Sequence, residues 1–393
     1  MRLAGRMAHL TPSPSFTTLA RAKAMEAAGH DIIHLEVGEP DFDTPANVVE
    51  AGVSALRGGH TRYTPAAGDM ALRTAIARHV GETRDVDVAP TQILVAPGGK
   101  PVIYYTIMAL VEAGDEVILP DPTFPSYATI TAYAGATPVY VPLDAERGFA
   151  FDVDAFAAAL SPRTRLVVLN SPSNPTGAVL SADDLAAIAR LLADRPDVVV
   201  LADEIYSRMV YDGVHRSILT ESGMAERTVV LDGFSKTYAM TGWRLGYAVL
   251  PPALAPILID LQSNITSCAA DATQVAGLAA LDGPQADVEA MVQTFRTRRD
   301  RVVARLNELP GIRCARPAGA FYAFPDIRGT GLDDLSLAEE LLTHTGVALL
   351  AGRGFGPAGT GHLRLSYANA MPNLDRALDR MGEHLTALAR AGA

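Results

Sequence analysis

Lysine is rare in this chain, and one lysine has neighbours that suit covalent chemistry. The 393 residues include three lysines, Lys23, Lys100 and Lys236, against thirty arginines. Lys236 lies in the stretch LDGFSKTYAMTGWRLGY, directly after Ser235 and eight residues before Arg244. An ammonium group can lose its proton and attack a carbonyl carbon, whereas a guanidinium group stays protonated. Lys236 is therefore the first candidate nucleophile, and a solvated loop lysine is the alternative.

Other polar side chains stand where predicted strands end. The run VVVLADEIY ends a buried strand with Asp203, and Tyr206 follows three residues later. The strand before it runs into NSPSNPTG, in which Asn170 and Asn174 offer amide groups. Open α/β sheets bind ligands at the carboxyl ends of their strands, and a buried carboxylate needs a partner. These residues are candidates for one site. A helix N-cap for Asp203 and a plain turn around Asn174 are the alternatives.

A glycine-rich turn offers an anion site. Gly98, Gly99 and Lys100 follow the predicted strand 93–95 and open an apolar helix. Backbone N–H groups at the N-terminus of a helix bind anions such as phosphate, and Arg244 could add a cation for the same phosphate. The turn therefore predicts a phosphate site.

Together these groups suit the chemistry of pyridoxal 5′-phosphate (PLP). A PLP enzyme needs a lysine that forms a Schiff base and a carboxylate that keeps the pyridine nitrogen protonated. It also needs a phenol and an amide at the ring oxygen, and an anion site for the phosphate. Lys236, Asp203, Tyr206 and Asn174 supply the first four groups. The combination indicates a PLP enzyme more strongly than any one residue does.

The elements that must position these residues alternate between strands and helices. Short runs of Val, Ile and Leu bounded by turn residues predict strands that are buried on both faces. These runs lie at 93–95, 116–119, 166–169, 198–201, 229–231 and 246–249. Between them, a helix is predicted at 181–193, where Ser181 is the N-cap and an acid follows three residues later. The alternation predicts an α/β domain with a mostly parallel sheet.

The C-terminal part has a different pattern. It predicts a long polar helix from Asp287 to about Leu309, short strands at 320–324 and 362–367, and a closing helix from Asn373. This pattern indicates a second, smaller α+β domain. The first forty residues could belong to the same domain.

Composition argues against several other classes of protein. A net charge of −11 disfavours a nucleic-acid or membrane-surface partner. The nine histidines show no metal-ligand spacing, so no metal site is predicted. The chain has no signal-peptide pattern and no apolar run of membrane-spanning length, so we expect a cytoplasmic location. The GFGPAG motif at 354–359 precedes a strand-like segment, whereas a dinucleotide site requires a helix there.

Eight motifs in order resemble the class I aminotransferases of PLP fold type I, in particular the bacterial aspartate-aminotransferase-like branch. The motifs are EVGEPDFDTP, TRYTPAAG, DPTFPSY, NSPSNPTG, LADEIY, FSKTYAMTGWRLGY, PAGAFYAF and HLRLSYA, and they span nearly the whole chain. The resemblance implies an α/β fold whose large domain has a mostly parallel, seven-stranded sheet between helices, plus a smaller α+β domain. The implied boundaries are an N-terminal arm and lid at 1–45, which also forms part of the small domain, a PLP-binding domain at 46–285 and a small C-terminal domain at 286–393.

The resemblance also implies roles at the cofactor. Lys236 would be the Schiff-base lysine and the proton carrier, and Asp203 would pair with the pyridine nitrogen. Tyr206 and Asn174 would hold the ring oxygen, and Phe124 would stack on the ring. The residues implied at the phosphate are Gly98, Gly99, Lys100, Ser235 and Arg244.

Further implied roles concern the substrate and a partner subunit. Arg364 would grip the substrate α-carboxylate as a bidentate fork, near Asn174. Alternation along HLRLSYA also fits an ordinary half-buried strand, which leaves a structural role for Arg364 open. Gly38 would lie in a mobile N-terminal lid. Tyr63 would reach the phosphate of the partner subunit, which implies a homodimer with shared active sites.

Two departures from the aspartate-specific pattern leave the substrate open. Phe124 stands where those relatives usually carry Trp. No Lys or Arg occurs from Pro251 to Phe295, where relatives of the animal and enteric type place a second arginine for the side-chain carboxylate. Lys100 matches a lysine that serves this carboxylate in some bacterial relatives. A solvated lysine at a helix start is the alternative.

The expected function is an aminotransferase that moves an amino group between an L-amino acid and a 2-oxo acid. The donor would be aspartate-like or of broad range, and 2-oxoglutarate is the expected acceptor. The same scaffold could instead carry out C–S β-elimination, decarboxylation or C–C bond formation, because each of these reactions uses the same residues.

Overall fold

The computed structural model describes residues 1–391, which form twelve strands and thirteen α-helices. The strands are β1 Ile33–His34, β2 Ile93–Ala96, β3 Glu116–Asp121, β4 Thr137–Pro142, β5 Thr164–Asn170, β6 Val199–Asp203, β7 Thr228–Gly233, β8 Gly246–Val249, β9 Tyr322–Ala323, β10 Val347–Ala348, β11 Leu350–Ala351 and β12 Leu363–Ser366. The helices are α1 Pro14–Ala27, α2 Ala46–Arg57, α3 Met70–Arg84, α4 Gly99–Leu110, α5 Ser126–Tyr133, α6 Val153–Ala159, α7 Ala182–Leu192, α8 Phe234–Thr237, α9 Ala255–Ile265, α10 Asp271–Asp282, α11 Ala286–Leu306, α12 Asp334–Glu340 and α13 Met371–Ala391. None of these helices is both long enough and apolar enough to cross a membrane.

Seven strands form the central sheet, in the order β2-β8-β7-β6-β5-β3-β4. The strands from β7 through β6, β5 and β3 to β4 are parallel to their neighbours. β8 is antiparallel to both β2 and β7. The predicted α/β fold with a mostly parallel, seven-stranded sheet is confirmed.

The sequence predicts six of the seven strands and misses β4, which lies at one edge of the sheet. Most β4 side chains are half-buried or exposed rather than buried on both faces. The strand also contains Pro138 and Pro142, and proline is tolerated at sheet edges because it cannot donate to the ladder. Without a continuous apolar run, β4 lacks the pattern that reveals its neighbours.

The side chains of β5 show how helices cover both faces of the sheet. Val167 and Leu169 pack into one apolar cluster with α3, α6 and α7. Leu166 and Val168 pack into another with α4, α5 and α9. Successive side chains of a strand point to opposite faces, so a continuous apolar run buries both.

Helix α7 begins where its sequence predicts. The Ser181 hydroxyl accepts a hydrogen bond from the Asp184 N–H at 3.1 Å, and the Asp184 carboxylate accepts one from the Ser181 N–H at 2.9 Å. This reciprocal capping satisfies two donors that the first turn would otherwise leave free. Leu185 and Ile188 then pack into the apolar cluster below.

The C-terminal elements share an apolar cluster of their own. It joins α11 and α13 to β9, β10 and β12, and buries Phe295, Phe321 and Leu378. β9, β12 and β11 form an antiparallel sheet, while β1 pairs in parallel with β10. An N-terminal strand is thereby built into the C-terminal unit.

Candidate active site

The elements that carry Asp203, Lys236 and the glycine turn meet at the carboxyl ends of the central strands. β5 ends at Asn170, β6 ends at Asp203, and β7 ends at Gly233, directly before the short helix that contains Lys236. β2 leads through Gly98 into α4. This edge is where open α/β sheets bind ligands.

Lys236 is held beneath the N-terminal segment of the chain. Its Nζ donates a hydrogen bond to the carbonyl oxygen of Gly38 at 2.5 Å. Burial lowers the pKa of Lys236 to about 8; the positive charge of Arg364 also lowers it, and Glu39 opposes the shift. The free amine is the nucleophilic form, so the environment prepares Lys236 for attack on a carbonyl.

Asp203 is a buried carboxylate, 5% exposed, with two hydrogen-bond donors. The Tyr127 hydroxyl donates to Oδ2 at 2.6 Å, and the Ile205 N–H donates to Oδ1 at 3.2 Å. Burial raises the pKa of Asp203 to about 6, against the effect of these two hydrogen bonds. Asp203 is therefore mostly ionised at neutral pH and can pair with a cationic ring nitrogen.

Tyr206 shares a hydrogen bond with a second buried phenol. The two hydroxyl oxygens of Tyr206 and Tyr322 lie 2.7 Å apart. Tyr322 also lies against Gly38, because a Cβ built on Gly38 would stand 1.9 Å from the Tyr322 hydroxyl oxygen. The N-terminal segment can approach this closely only because residue 38 has no side chain.

Arg364 is 2% exposed and lacks a carboxylate partner in direct contact among residues 1–391. Its Nη1 donates to Asn174 Oδ1 at 3.3 Å, and its Nη2 donates to the carbonyl of Glu36. The guanidinium carbon lies 4.7 Å from the ring centroid of Tyr322 and 5.1 Å from that of Phe355. Nε has no hydrogen-bond partner within the described residues. A buried, incompletely paired guanidinium suits a substrate carboxylate.

The glycine turn and Arg244 form a tight cradle. Gly98 has a φ of +97°, which glycine adopts without steric cost. A Cβ at Gly98 would lie 2.2 Å from Arg244 Nη2, so the guanidinium rests against the start of α4. Arg244 Nη1 is anchored by the Thr241 carbonyl at 2.8 Å. Ser235 is buried in α8. Backbone N–H groups and an arginine at one helix start make an anion site.

Lys100 lies beside two aromatic rings. Its Nζ is 5.5 Å from the ring centroid of Phe124 and 5.7 Å from that of Phe16. Partial burial lowers the pKa of Lys100, and the positive charge of Arg244 adds to the effect. Phe124 in turn packs edge-on against Tyr127, with 5.6 Å between ring centroids.

Comparison with known proteins decides the family. Residues 30–381 match the family model for aminotransferase class I and II. The chain belongs to this family. The aspartate aminotransferase of Geobacillus stearothermophilus is 37% identical over 398 aligned positions, which cover 99% of this chain and 100% of that protein.

Solved structures agree with this assignment. The aspartate aminotransferase of Thermus thermophilus with maleate has a TM-score of 0.93 at 37% identity, covering 98% of this chain and 100% of that one. The aromatic aminotransferase of Pyrococcus horikoshii OT3 has a TM-score of 0.88 at 39% identity, covering 93% of this chain and 99% of that one. The protein is therefore a PLP-dependent aminotransferase. The other PLP reactions gain no support from these relatives.

The residues of this aminotransferase fit its cofactor. A side chain at Gly98 would collide with Arg244, so glycine at this position lets the guanidinium and the first N–H groups of α4 face the same anion. Asp203 is a buried acid that suits a cationic ring nitrogen, and Lys236 is an amine of lowered pKa. Buried Arg364 keeps one unpaired N–H within the described residues. This donor set matches a phosphorylated pyridine aldehyde and a carboxylate substrate.

Tyr63 of the aminotransferase lies apart, at 87% exposure. It lines an open cleft of about 1530 Å³ together with Phe42, Leu56, Trp243 and Cys268. A large aromatic side chain so exposed in a partly apolar cleft is typical of a protein–protein interface.

The sequence assigns no role to Tyr127, Tyr322 or Phe16, which the structure brings to the site. Tyr127 and Tyr322 stand inside the quoted motifs DPTFPSY and PAGAFYAF. The available signal was that a buried phenol needs a hydrogen-bond partner. Phe16 lies in an exposed N-terminal helix and carries no such signal.

Proposed function

We propose that Lys236 binds PLP covalently and then carries the proton during transamination. The observation that carries this proposal is the position of the Lys236 amine, which lies in the same site as Asp203 and Arg364. This amine has a lowered pKa and donates a hydrogen bond to the carbonyl oxygen of Gly38. When bound, PLP supplies a ring that accepts the electron pair left at the substrate α-carbon. Lys236 Nζ would be the base that holds the proton leaving the substrate α-carbon.

The other residues hold the cofactor. Asp203, ionised near neutral pH, keeps a proton on the ring nitrogen. Tyr206 and Asn174 bind the ring oxygen, and Phe124 covers the ring face. The phosphate is held by Gly98, Gly99, the Lys100 backbone, Ser235 and Arg244.

Arg364 binds the α-carboxylate that every amino-acid substrate carries. Its unpaired Nε and its burial support this role, because a charge-assisted pair strengthens when water is excluded. Asn174 holds the guanidinium in place through Nη1. The N-terminal segment around Gly38 covers the Lys236 amine.

For the donor, we propose a dicarboxylic amino acid whose distal carboxylate meets Lys100, with 2-oxoglutarate as acceptor. The position of Lys100 beside Phe124 supports this proposal, as does similarity to aspartate aminotransferases, one of them solved with maleate. A second candidate is a broad range that includes aromatic donors. The rings of Phe16 and Phe124 near the Lys100 amine favour it, together with similarity to an aromatic aminotransferase.

We also propose a homodimer in which Tyr63 reaches the partner's phosphate site. Mixing chains tests this directly. In a heterodimer of Lys236→Ala and Tyr63→Ala chains, shared sites leave one site fully wild-type, so activity rises above that of both parents. Unshared sites would leave the mixture at the average of the two parents, which would contradict the proposal.

We further propose the division into an arm at 1–45, a cofactor domain at 46–285 and a small domain at 286–393. Separate apolar clusters on the central sheet and among the C-terminal elements support this division. The cytoplasmic location stays a prediction.

The covalent role of Lys236 has a simple test. After borohydride reduction, mass spectrometry should find the cofactor on Lys236 in wild type and in the control Lys23→Ala, which changes an exposed lysine of α1. Lys236→Ala should lose this label and at least about 10³-fold in activity. A label on another lysine of the wild type would refute the assignment. A donor panel, with aspartate, glutamate, phenylalanine and alanine, would then rank the substrates by the keto acid formed.

A further inference from the structure

Next to Asp203 in the sheet lies a buried cluster of charged side chains, Arg84, Glu204 and Asp232, which has no role in the proposed transamination. Arg84, the last residue of α3, has a side chain only 1% exposed. Its Nε donates to Glu204 Oε2 at 2.6 Å, and its Nη2 donates to Asp232 Oδ2 at 2.5 Å. One guanidinium thus joins carboxylates from the ends of two adjacent strands, β6 and β7.

Both carboxylates are connected to the active site through the backbone. Glu204 directly follows Asp203 at the end of β6. Asp232 Oδ1 accepts a hydrogen bond from the Gly233 N–H at 2.7 Å, and Gly233 is the residue before the helix that holds Lys236. Arg84 therefore binds the residue next to Asp203 in the chain. Through Asp232 it also helps to fix Gly233, where the helix that contains Lys236 begins.

The cluster places three carboxylates, Asp203, Glu204 and Asp232, in one buried region. Uncompensated buried charges are costly and shift the pKa of their neighbours. Glu204 also receives Ser217 Oγ at 2.6 Å and lies 3.0 Å from His215 Nε2. The other titratable groups that face these carboxylates are His79, Tyr127, Tyr206, Lys236, Tyr238, Tyr247 and Tyr322. Among all these groups, only Arg84 makes direct hydrogen bonds to both Glu204 and Asp232.

We infer that Arg84 is a positioning residue for transamination. Its positive charge balances the carboxylates of Glu204 and Asp232 and thereby keeps Asp203 ionised. The inference rests on the proposed role of Asp203 at the ring nitrogen. Arg84 is not one of the residues proposed to contact cofactor or substrate, and it acts through the charge and placement of Glu204 and Asp232.

The charges support this direction of effect. Burial raises the pKa of Asp203, and the negative charges of Asp232 and Glu204 raise it further. Burial would also raise the pKa of Glu204, but Arg84 and His215 outweigh it and lower the pKa to about 2. Glu204 therefore stays ionised beside Asp203, and Arg84 screens it. Removing this guanidinium should therefore raise the pKa of Asp203.

The test measures Asp203 itself, in the cofactor-free protein. Carbon-13 NMR of labelled aspartate carboxyls follows the titration, with the Asp203 resonance assigned by its loss in Asp203→Asn. The variants are Arg84→Gln, Arg84→Lys and Glu204→Gln. The matched control is Arg73→Gln, because Arg73 lies buried on the same helix but, within residues 1–391, donates only to the carbonyls of Pro90 and Ile93.

Opposite shifts are expected from opposite charge changes. Arg84→Gln should raise the apparent pKa of Asp203 by about one pH unit or more, and Glu204→Gln should lower it. Arg84→Lys should stay nearer to wild type, and Arg73→Gln should leave the titration unchanged. The affinity for PLP at pH 7 should fall about tenfold in Arg84→Gln and recover at higher pH, because Asp203 then ionises.

Two results would overturn the inference: an unchanged Asp203 titration in Arg84→Gln, or a shift in the same direction for Arg84→Gln and Glu204→Gln. If Arg84→Gln does not fold, Glu204→Gln still decides, since a pKa that fails to fall refutes the electrostatic coupling. The proposed role of Asp203 is judged separately. If Asp203→Asn binds PLP as tightly as wild type, that role fails, whatever the Arg84 variants show in the NMR titration.

Discussion

Arg84 and Arg364 are both buried, yet they have different partners. Arg84 donates to the carboxylates of Glu204 and Asp232. Arg364 donates only to carbonyl oxygens, those of the Asn174 side chain and the Glu36 backbone, within the described residues. A guanidinium already balanced by two acids stabilises the strand ends that hold it. One that lacks an acid partner in direct contact can bind a carboxylate that arrives from solution.

The comparison predicts the largest loss of stability at Arg84. Arg84→Gln should lower the free energy of unfolding by about 3–5 kcal/mol, because it leaves two buried carboxylates without the guanidinium that pairs with both. Urea denaturation of the cofactor-free protein measures this loss. The control Arg73→Gln should cost less, since it frees only backbone carbonyls. Equal losses in the two variants would remove the distinction between a paired and an unpaired buried arginine.

The pH dependence of stability sharpens the same point. The pKa of Glu204 is lowered from 4.5 to about 2 in the folded protein, where burial opposes the shift and Arg84 and His215 outweigh it. Its contribution to stability is therefore fully present above pH 4.5 and is lost as pH falls towards 2. Arg84→Gln should flatten this part of the acid-unfolding curve.

Arg364→Gln should show the reverse pattern, with a large loss of activity and little loss of stability. The kcat/KM for every amino-acid donor should fall by about 10²- to 10³-fold, the cost of breaking a buried charge pair with the α-carboxylate. The urea midpoint should stay within error of wild type, because no acid loses its partner. A donor-specific loss would indicate that Arg364 reads the side chain instead.

Lys100 is more exposed than Arg84 or Arg364. We therefore expect its removal to have a smaller effect on activity, and one that depends on the donor. Lys100→Ala should lower kcat/KM for aspartate and glutamate about tenfold more than for alanine or phenylalanine. Lys23→Ala serves as the control for loss of a surface cation. Equal losses for all donors would reject the dicarboxylate proposal and favour the broad donor range.

The smallest effect concerns the amine of Lys236, which senses the charge of Arg364. Attachment of PLP to the cofactor-free protein should speed up as pH rises through about 8, because burial lowers the pKa of Lys236 to about 8 and only the free amine attacks. Arg364→Gln should raise this midpoint by less than about one pH unit, since it removes a nearby positive charge. Arg84→Gln should leave it in place. A wild-type midpoint near the ordinary 10.5 would contradict the burial argument.

Local sequence patterns were enough to predict the strands whose ends carry the proposed cofactor-binding residues. Asp203 could be predicted because an uninterrupted run of Val and Leu stops there, and Lys236 because lysine is so rare. β4 could not be predicted, because an edge strand with prolines shows no apolar run.

The contacts that could not be predicted from the sequence join residues that are far apart in the chain. Tyr127 reaches Asp203 across 76 positions, Arg84 reaches Glu204 across 120, and Arg364 reaches Asn174 across 190. No periodicity along the sequence records such pairings. The one local hint is that a buried phenol or guanidinium must find a partner somewhere in the fold.

The contact between Gly38 and Tyr322 also constrains how this enzyme can vary. Even an alanine at position 38 would place its Cβ 1.9 Å from the Tyr322 hydroxyl oxygen and 2.7 Å from the ring carbon that bears it. Replacing Tyr322 by phenylalanine removes only the first of these clashes. Single-site libraries at position 38 should therefore return glycine alone, and other residues become accessible only when position 322 is varied together with it. The two positions form an epistatic pair, which directed evolution of the substrate pocket must sample jointly.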